Sequence, residues 1–265
     1  MGSSVLFLGS GGARFVVARQ FRASGGMWLR FGQTQIHVDP GPGALVRALS
    51  HVPPCNPREL SAIVLSHKHL DHAGDTTAMI EAMTSGGFRK RGVLLAPRDA
   101  IEEESTVLKY AQHFVDRLQI LEPQSGPYAI DEVELYTSIA HHHAVQTYGM
   151  HFRYGSLRVS YLPCGKYFDG LAEGYAAHQP DVLILNVLRY QDGMNVDHLT
   201  WPDARRVVEA VNPRVAIFQH FGTKMLEADP RKLAQAVEDD FGIRAIAAHD
   251  DLLVDLDTEV AAVAG

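Results

Sequence analysis

The run Ala62-Ile63-Val64-Leu65-Ser66-His67-Lys68-His69-Leu70-Asp71-His72-Ala73-Gly74-Asp75 decides how this chain is read. Its first five residues suit a short buried strand, and the histidines begin where that strand ends. In an extended segment His67 and His69 share one side, because strand side chains alternate with period two. The turn from Asp71 to Asp75 then swings Asp71 and His72 toward a second position. Imidazole nitrogens and carboxylate oxygens are good ligands for zinc, manganese and iron. Four such side chains in six residues, directly after a buried strand, point to a site for two neighbouring ions. Two ions a few ångströms apart hold a hydroxide between them that is a nucleophile at neutral pH.

Strands and turns extend from this run in both directions. Toward the N-terminus, Gln35 to Val38 and Trp28 to Phe31 read as strands around a turn at Gly32. Asp39-Pro40-Gly41-Pro42-Gly43 is a sharp loop. Val5 to Gly9 is a buried strand closed by Gly9-Ser10-Gly11-Gly12. Pro57 to Leu60 is a short helix. Toward the C-terminus, Asp75 to Thr84 is helical, Val93 to Ala96 is a strand, and Pro97 to Tyr110 starts a helix with acidic residues near its N-terminus. Residues 130–139, 148–154 and 157–162 alternate as antiparallel strands, the last two joined by a turn at Gly155-Ser156. Val182 to Leu188 is a fully apolar strand. Thr200-Trp201-Pro202-Asp203 resembles a capping box, and its helix ends before Asn212-Pro213. Val215 to Gln219 is a buried strand ending at His220, and residues 244–248 and 252–256 are strands. Ala62 to His67 and Val215 to His220 echo each other as apolar strands ending on histidine. That suits two similar halves with a site on their shared rim. No linker or low-complexity segment divides the 265 residues, so one domain over 1–265 is expected.

Composition narrows the function. Fourteen histidines are an unusual number, and several stand in tight groups. A net charge of −7 disfavours a grip on long nucleic acid. Arg89-Lys90-Arg91, the nearest thing to a basic cluster, reads as a solvated turn. Cys55 and Cys164 are too few for a disulfide scaffold, so a reduced, cytoplasmic protein is expected. The start lacks a basic n-region and no window approaches eighteen apolar residues, so neither signal peptide nor membrane span is expected.

His67-x-His69-x-Asp71-His72 resembles the HxHxDH signature of the metallo-β-lactamase superfamily. The resemblance implies an α/β (α+β) fold, a four-layer αββα sandwich of two mixed β-sheets with helices outside. Asp39 resembles that superfamily's first conserved aspartate, expected to orient a ligand histidine from behind. His141-His142-His143 stands at the next ligand position. The spacing to Tyr148-Gly149 resembles phosphodiesterase members and favours His143, with His142 as the alternative or as support behind it. His220, before Phe221-Gly222, matches the last ligand. The chain departs from the pattern in Tyr161-Leu162-Pro163-Cys164-Gly165-Lys166, where a bridging aspartate is usual and Cys164 stands instead. Three readings stay open: a thiolate bridging both ions, a ligand to one ion, or a non-ligand with Asp169 or another carboxylate substituting. A thiolate tilts preference toward zinc or iron over manganese.

Within the superfamily the chain looks closest to the ribonuclease Z-like and cyclic phosphodiesterase branch. Gly9-Ser10-Gly11-Gly12-Ala13-Arg14, Ser24-Gly25 and His198-Leu199-Thr200 carry that likeness. It implies that His67, His69, Asp71, His72, His143, Cys164 and His220 hold two zinc ions, with manganese or iron as alternatives. Asp71 would also accept the proton of the attacking hydroxide, His198 would protonate the leaving oxygen, and Arg14 and Lys166 would meet substrate charge. Acidity and the lack of a basic exosite arm point to a small phosphodiester, such as a cyclic nucleotide or cyclic sugar phosphate. Two alternatives stand beside it: an acyl hydrolase of lactones or thioesters on the same metals, and a non-catalytic metal-binding member whose bridging position Cys164 has blocked. Homo-oligomer formation is left open.

Overall fold

The computed structural model describes residues 2–102, 105–191 and 196–263. The first half of the chain supplies β1 (Ser3–Phe7), β2 (Met27–Phe31), β3 (Thr34–Val38), β4 (Ala62–Val64), β5 (Val93–Pro97) and β6 (Arg117–Leu121). The second half supplies β7 (Tyr128–Ile130), β8 (Val133–Ala140), β9 (Tyr148–Tyr154), β10 (Leu157–Leu162), β11 (Val182–Asn186), β12 (Val215–Gln219) and β13 (Arg244–Ala247). The last strand, β14 (Leu252–Asp255), returns to pair with β1. Two seven-stranded sheets result, ordered β14-β1-β2-β3-β4-β5-β6 and β13-β12-β11-β10-β9-β8-β7.

The sheets bury one face against each other. Leu29, Ile36 and Val38 from one share an interior with Met150, Phe152, Tyr161 and Ile217 from the other. Phe31 meets Phe152 across this layer with ring centroids 6.1 Å apart. Helices Ala44–Ser50 and Thr76–Thr84 cover the outer face of the first sheet through Ala48, Met79 and Ile80. Helices Trp201–Val211 and Pro230–Phe241 cover the second through Val207, Val208 and Val237. The expected αββα layering is the observed one. Among the described residues, no helix is long and apolar enough to cross a membrane.

Strand direction positions the site. β3, β4, β5 and β6 run parallel, as do β10, β11, β12 and β13. Parallel strands are covered on both faces, which is why Val182-Leu183-Ile184-Leu185 and Val215-Ala216-Ile217-Phe218 are continuously apolar and buried. Loops leaving the carboxyl ends of such strands converge on one rim. Asp39 follows β3, His67 lies just beyond β4, Cys164 beyond β10, and His220 follows β12. The echo between Ala62–His67 and Val215–His220 is therefore structural: β4 and β12 are each flanked on both sides by parallel strands of their sheet.

Local signals hold where side chains act on nearby backbone. Thr200 Oγ1 accepts from Asp203 N–H at 3.2 Å and Asp203 Oδ2 accepts from Thr200 N–H at 3.1 Å, closing the capping box at the start of Trp201–Val211. The helix expected to start over Pro97–Tyr110 is instead broken into Arg98–Ile101 and Lys109–Gln112, and residues 103 and 104 lie outside the described residues. Ser105 is the physical cause. Its hydroxyl donates to the Ala100 carbonyl at 3.0 Å and accepts from Val107 N–H at 3.2 Å, diverting the chain from helical bonding. Helices Ala13–Arg19 and Leu256–Val263 and strand β6 carry no clear periodic signal; each of the two helices buries a single residue, Val16 and Leu256.

Candidate metal centre

Two triads of ligand-type atoms face each other on the rim. His67, His69 and His143 place one ligand atom each within 4.8 Å of one another. His143 Nδ1–H donates to the Asp197 carbonyl at 2.9 Å, which leaves the lone pair on Nε2, 3.0 Å from His69 Nδ1. Asp71, His72 and His220 form the second triad within the same limit. His72 Nε2 is 3.0 Å from His220 Nε2, and Asp71 Oδ2 is 3.3 Å from His220 Nε2 and 3.7 Å from His72 Nε2. Two ligands at about 2.0–2.1 Å from one tetrahedral ion stand about 3.3 Å apart, so these spacings suit a shared ion.

Cys164 lies between the triads. Its Sγ is 3.4 Å from His72 Nε2 and 3.6 Å from His220 Nε2, and it groups with His67 and His72 on one side and with His198 and His220 on the other. Asn186 Nδ2–H points at the sulfur from 3.5 Å.

The residues behind the triads explain why the rings stand where they do. Asp39 accepts from Ser66 N–H at 2.7 Å on Oδ1. Its Oδ2 accepts from Ser66 Oγ at 2.6 Å, His72 Nδ1–H at 2.9 Å and Tyr161 O–H at 3.0 Å. This commits His72 Nδ1 to Asp39 and leaves Nε2 toward the site. Asp39 (φ 53°) and His220 (φ 60°) both sit in the left-handed region, at the turns where β3 and β12 end. Ala13 N–H donates to Asp71 Oδ2 at 3.1 Å, so the glycine-rich loop after β1 supports the second triad. A methyl group on Gly12 would collide with the His220 ring, so only glycine allows that approach.

The charges of the cluster suit a divalent cation. Among the described residues His67 Nε2 is wholly buried with no hydrogen-bond partner, an orphan that a metal ion would account for. Burial pushes His67 and His143 down to about 4, so both are neutral donors at physiological pH. Burial opposes the ionised form of Asp71, yet His72 and His220 hold its carboxyl well below the usual carboxylate range. Burial likewise opposes the Cys164 thiolate, and the neighbouring His220 and His72 overcome it, holding the thiol well below its ordinary value. Against the same desolvation, Cys164 and Asp71 raise His220 to about 9. A buried thiolate and carboxylate that lean on protonated imidazoles for their counter-charge are groups a divalent cation would neutralise directly, so the donor set fits one.

Other expected residues fall differently. His198 joins the cluster: its ring stacks over His220 at 5.7 Å and meets His143 edge-on at 5.2 Å. Arg14 is exposed at the start of helix Ala13–Arg19, next to the residue that bonds Asp71. His142 does not stand behind the ligands. It is exposed and stacks on Phe168 at 4.1 Å, while His141 turns inward, with Nδ1–H donating to the Cys164 carbonyl at 3.0 Å and Nε2 3.0 Å from the Tyr175 hydroxyl. Alternation along the loop puts neighbouring rings on opposite sides. Lys166 points its ammonium at Asp197 Oδ1, 2.9 Å away, and is ion-paired. Asp169 is exposed and in no donor group among the described residues. Sequence reasoning missed Ser66, Tyr161, Asn186 and Asp197. Ser66 adjoins His67 and Tyr161 precedes Cys164 by three, but Ser66 bonds Asp39 from the neighbouring strand end, 27 residues away, and Tyr161 reaches the same carboxylate across from the other sheet.

Residues 34–221 match the family model for the beta-lactamase superfamily domain. The uncharacterized protein MJ1374 of Methanocaldococcus jannaschii is 32% identical over 263 residues, which is 95% of this chain and 94% of that protein. From Bacillus subtilis, the "Probable metallo-hydrolase YhfI" is 28% identical over 222 residues, 81% of this chain and 86% of its own. The crystal structure of YhfI superposes with a TM-score of 0.76 at 21% identity, covering 96% of this chain and 99% of that one. A diphosphatase from the PhnP family superposes with a TM-score of 0.65 at 20% identity, covering 96% and 97%. At these identities the superpositions are likenesses of fold.

Proposed function

The chain belongs to the beta-lactamase superfamily, and from that premise we propose that it is a metal-dependent hydrolase of small phosphodiesters. The observation that carries the reading is the pair of facing triads with Cys164 Sγ between them. When bound there, a pair of divalent ions supplies Lewis acidity toward a phosphoryl oxygen and lowers the pKa of water toward neutrality. His67, His69 and His143 would hold one ion, and Asp71, His72 and His220 the other. Cys164 would add its Sγ, and a thiolate together with five imidazoles and one carboxylate would favour zinc. Asp71, anchored by Ala13 N–H, keeps an oxygen at the site to accept a proton from the attacking water. His198 would donate a proton to the leaving oxygen; its ring stands beside His143 and His220, and its Nδ1 is buried without a hydrogen-bond partner among the described residues. One of the fold neighbours is a diphosphatase, and the proposal extends phosphoryl chemistry to this chain.

Acyl hydrolysis is the second reading, and the mouth of the site favours it. Phe15 is 71% exposed and Leu70 is 72% exposed, on two short helices that touch beside the rim. Exposed apolar side chains there suit the carbon skeleton of a lactone or thioester.

The deciding experiment assays bis(p-nitrophenyl) phosphate and a lactone panel in parallel, with metal content measured on the same samples. Phosphodiester turnover should dominate, and His198→Ala should lower it by roughly 10² to 10⁴ while the protein keeps its metal. Faster turnover of lactones, or a His198→Ala enzyme as fast as the parent, would replace the first reading with the second. Cobalt substitution tests Cys164: a sulfur-to-cobalt charge-transfer band should appear in the parent and vanish in Cys164→Ser.

A further inference from the structure

Lys166 and Asp197 are placed to hold the loop that carries His143. Lys166 N–H donates to the His142 carbonyl at 3.0 Å, which grips that loop from one side. The Asp197 carbonyl accepts from His143 Nδ1–H at 2.9 Å, which grips it from the other. The Lys166 ammonium and Asp197 Oδ1, 2.9 Å apart, join the two grips to each other. The segments so joined carry other members of the cluster: Cys164 lies two residues before Lys166, and His198 follows Asp197 directly. The outward-turned ring of His142 adds a contact by stacking on Phe168, two residues beyond Lys166. The restraint has a chemical result. With Nδ1 committed to the Asp197 carbonyl, His143 presents Nε2 to His69 and the first triad, whereas the second triad takes its supports elsewhere, Asp71 from Ala13 N–H and His72 from Asp39.

We propose that the Lys166–Asp197 ion pair is a clasp that positions His143, and through it sets the affinity of the ion held by His67, His69 and His143, leaving the ion at Asp71, His72 and His220 unaffected. Lys166 and Asp197 are thus positioning residues, not a substrate-binding cation and a bystander. The inference rests on the metal-binding reading above. A half-exposed ion pair normally contributes little to overall stability. Its effect here is expected at one metal step because it ties two ligand-bearing segments across a third.

The test titrates chelator-treated protein with cobalt(II), reading the visible bands and the stoichiometry at equilibrium dialysis. His143→Ala marks which step belongs to the first triad. Lys166→Met and Asp197→Asn should each weaken that step about 10- to 100-fold and leave the other unchanged, as loss of an orienting partner does elsewhere. Lys166→Arg should restore most of the affinity. Raising the salt concentration should weaken the same step in the parent but not in Lys166→Met, because the pair is partly exposed and screened. Parent-like titration by both variants overturns the clasp, as does equal weakening of both steps. A parent protein that binds no cobalt at all overturns the metal-binding reading itself, and the clasp with it. Asp197→Asn keeps the test decisive if Lys166→Met fails to fold.

Discussion

Histidines gather in two places in this molecule, and the two groups are built differently. On the rim, His67, His69, His72, His143 and His220 turn their nitrogens toward one another with Asp71 and Cys164 among them. Behind β9, His151 lies flat on His178, with ring centroids 3.5 Å apart and planes 6° off parallel, and Tyr175 stands 4.9 Å from His151. His141 completes this inner group through the Tyr175 hydroxyl. Among the described residues, no set of metal-type donors includes His141, His151 or His178. Burial then dominates: desolvation, with neighbouring imidazoles adding to it, drives His151 down to about 2 and His141 to about 4. On the rim the same desolvation is overcome at His72 and His220 by a thiolate and two carboxylates. What separates the rim group from the inner one is the set of anions, Asp39, Asp71 and Cys164, placed against its imidazoles.

The largest effect should come from removing rim donors. His67→Ala combined with His69→Ala should cost one bound ion per chain and lower turnover by more than roughly a thousandfold, read by elemental analysis and steady-state rates. The same pair of substitutions made inside, His151→Ala with His178→Ala, should leave metal content at the parent level. If the inner pair changes the stoichiometry, the contrast between the two groups collapses.

Asp39→Asn sharpens the comparison by weakening the link between anion and imidazole without deleting a ligand. It should weaken metal binding about 10- to 100-fold, measured by competition with a chromogenic chelator. His72 Nδ1, Ser66 and Tyr161 all lose a charged acceptor in that variant.

Acid should act oppositely on the two groups. An unfolded histidine titrates near 6.5, and folded His151 near 2, so between those values the unfolded chain binds more protons. Stability of chelator-treated protein therefore falls through His151 as pH drops below about 6.5. His220, raised to about 9, works in the other direction: its contribution is present below about 6.5 and lost as pH rises through 9. Comparing denaturant unfolding of the parent with His151→Phe isolates the inner term. The parent should lose on the order of 1–3 kcal/mol more than the variant between pH 7 and 5. Parallel curves would show that His151 is not held neutral.

The smallest effect is expected from Tyr175→Phe. It leaves His141 Nε2 and the Tyr161 carbonyl without the hydroxyl, costing about 1–2 kcal/mol in thermal or denaturant unfolding, with metal content unchanged.

Much of the site is legible because its ligands are close in the chain. His67, His69, Asp71 and His72 lie within six residues, and their roles follow from strand alternation and one turn. His220 is legible because β12 repeats the design of β4. The inner three-histidine run is a different case. His141, His142 and His143 are chemically identical and adjacent, and which one faces the rim depends on Tyr175, Phe168 and the Asp197 carbonyl, which are between 26 and 54 residues away. Lys166 misleads for the same reason: its charge is visible, but the acid that takes it up is 31 residues on.

By itself, the order of residues determined that apolar strands end in metal-type ligands, and that two halves repeat this plan, because alternation, turns and buried runs are properties of neighbours along the chain. Only the tertiary structure decided that Cys164 lies between the triads, that Asp39 takes His72, and that Lys166 is ion-paired with Asp197. Cys164 meets His72 across the sandwich, while the other two contacts join neighbouring loops on the rim of one sheet, and in each case the position of a distant backbone is set by the whole core at once.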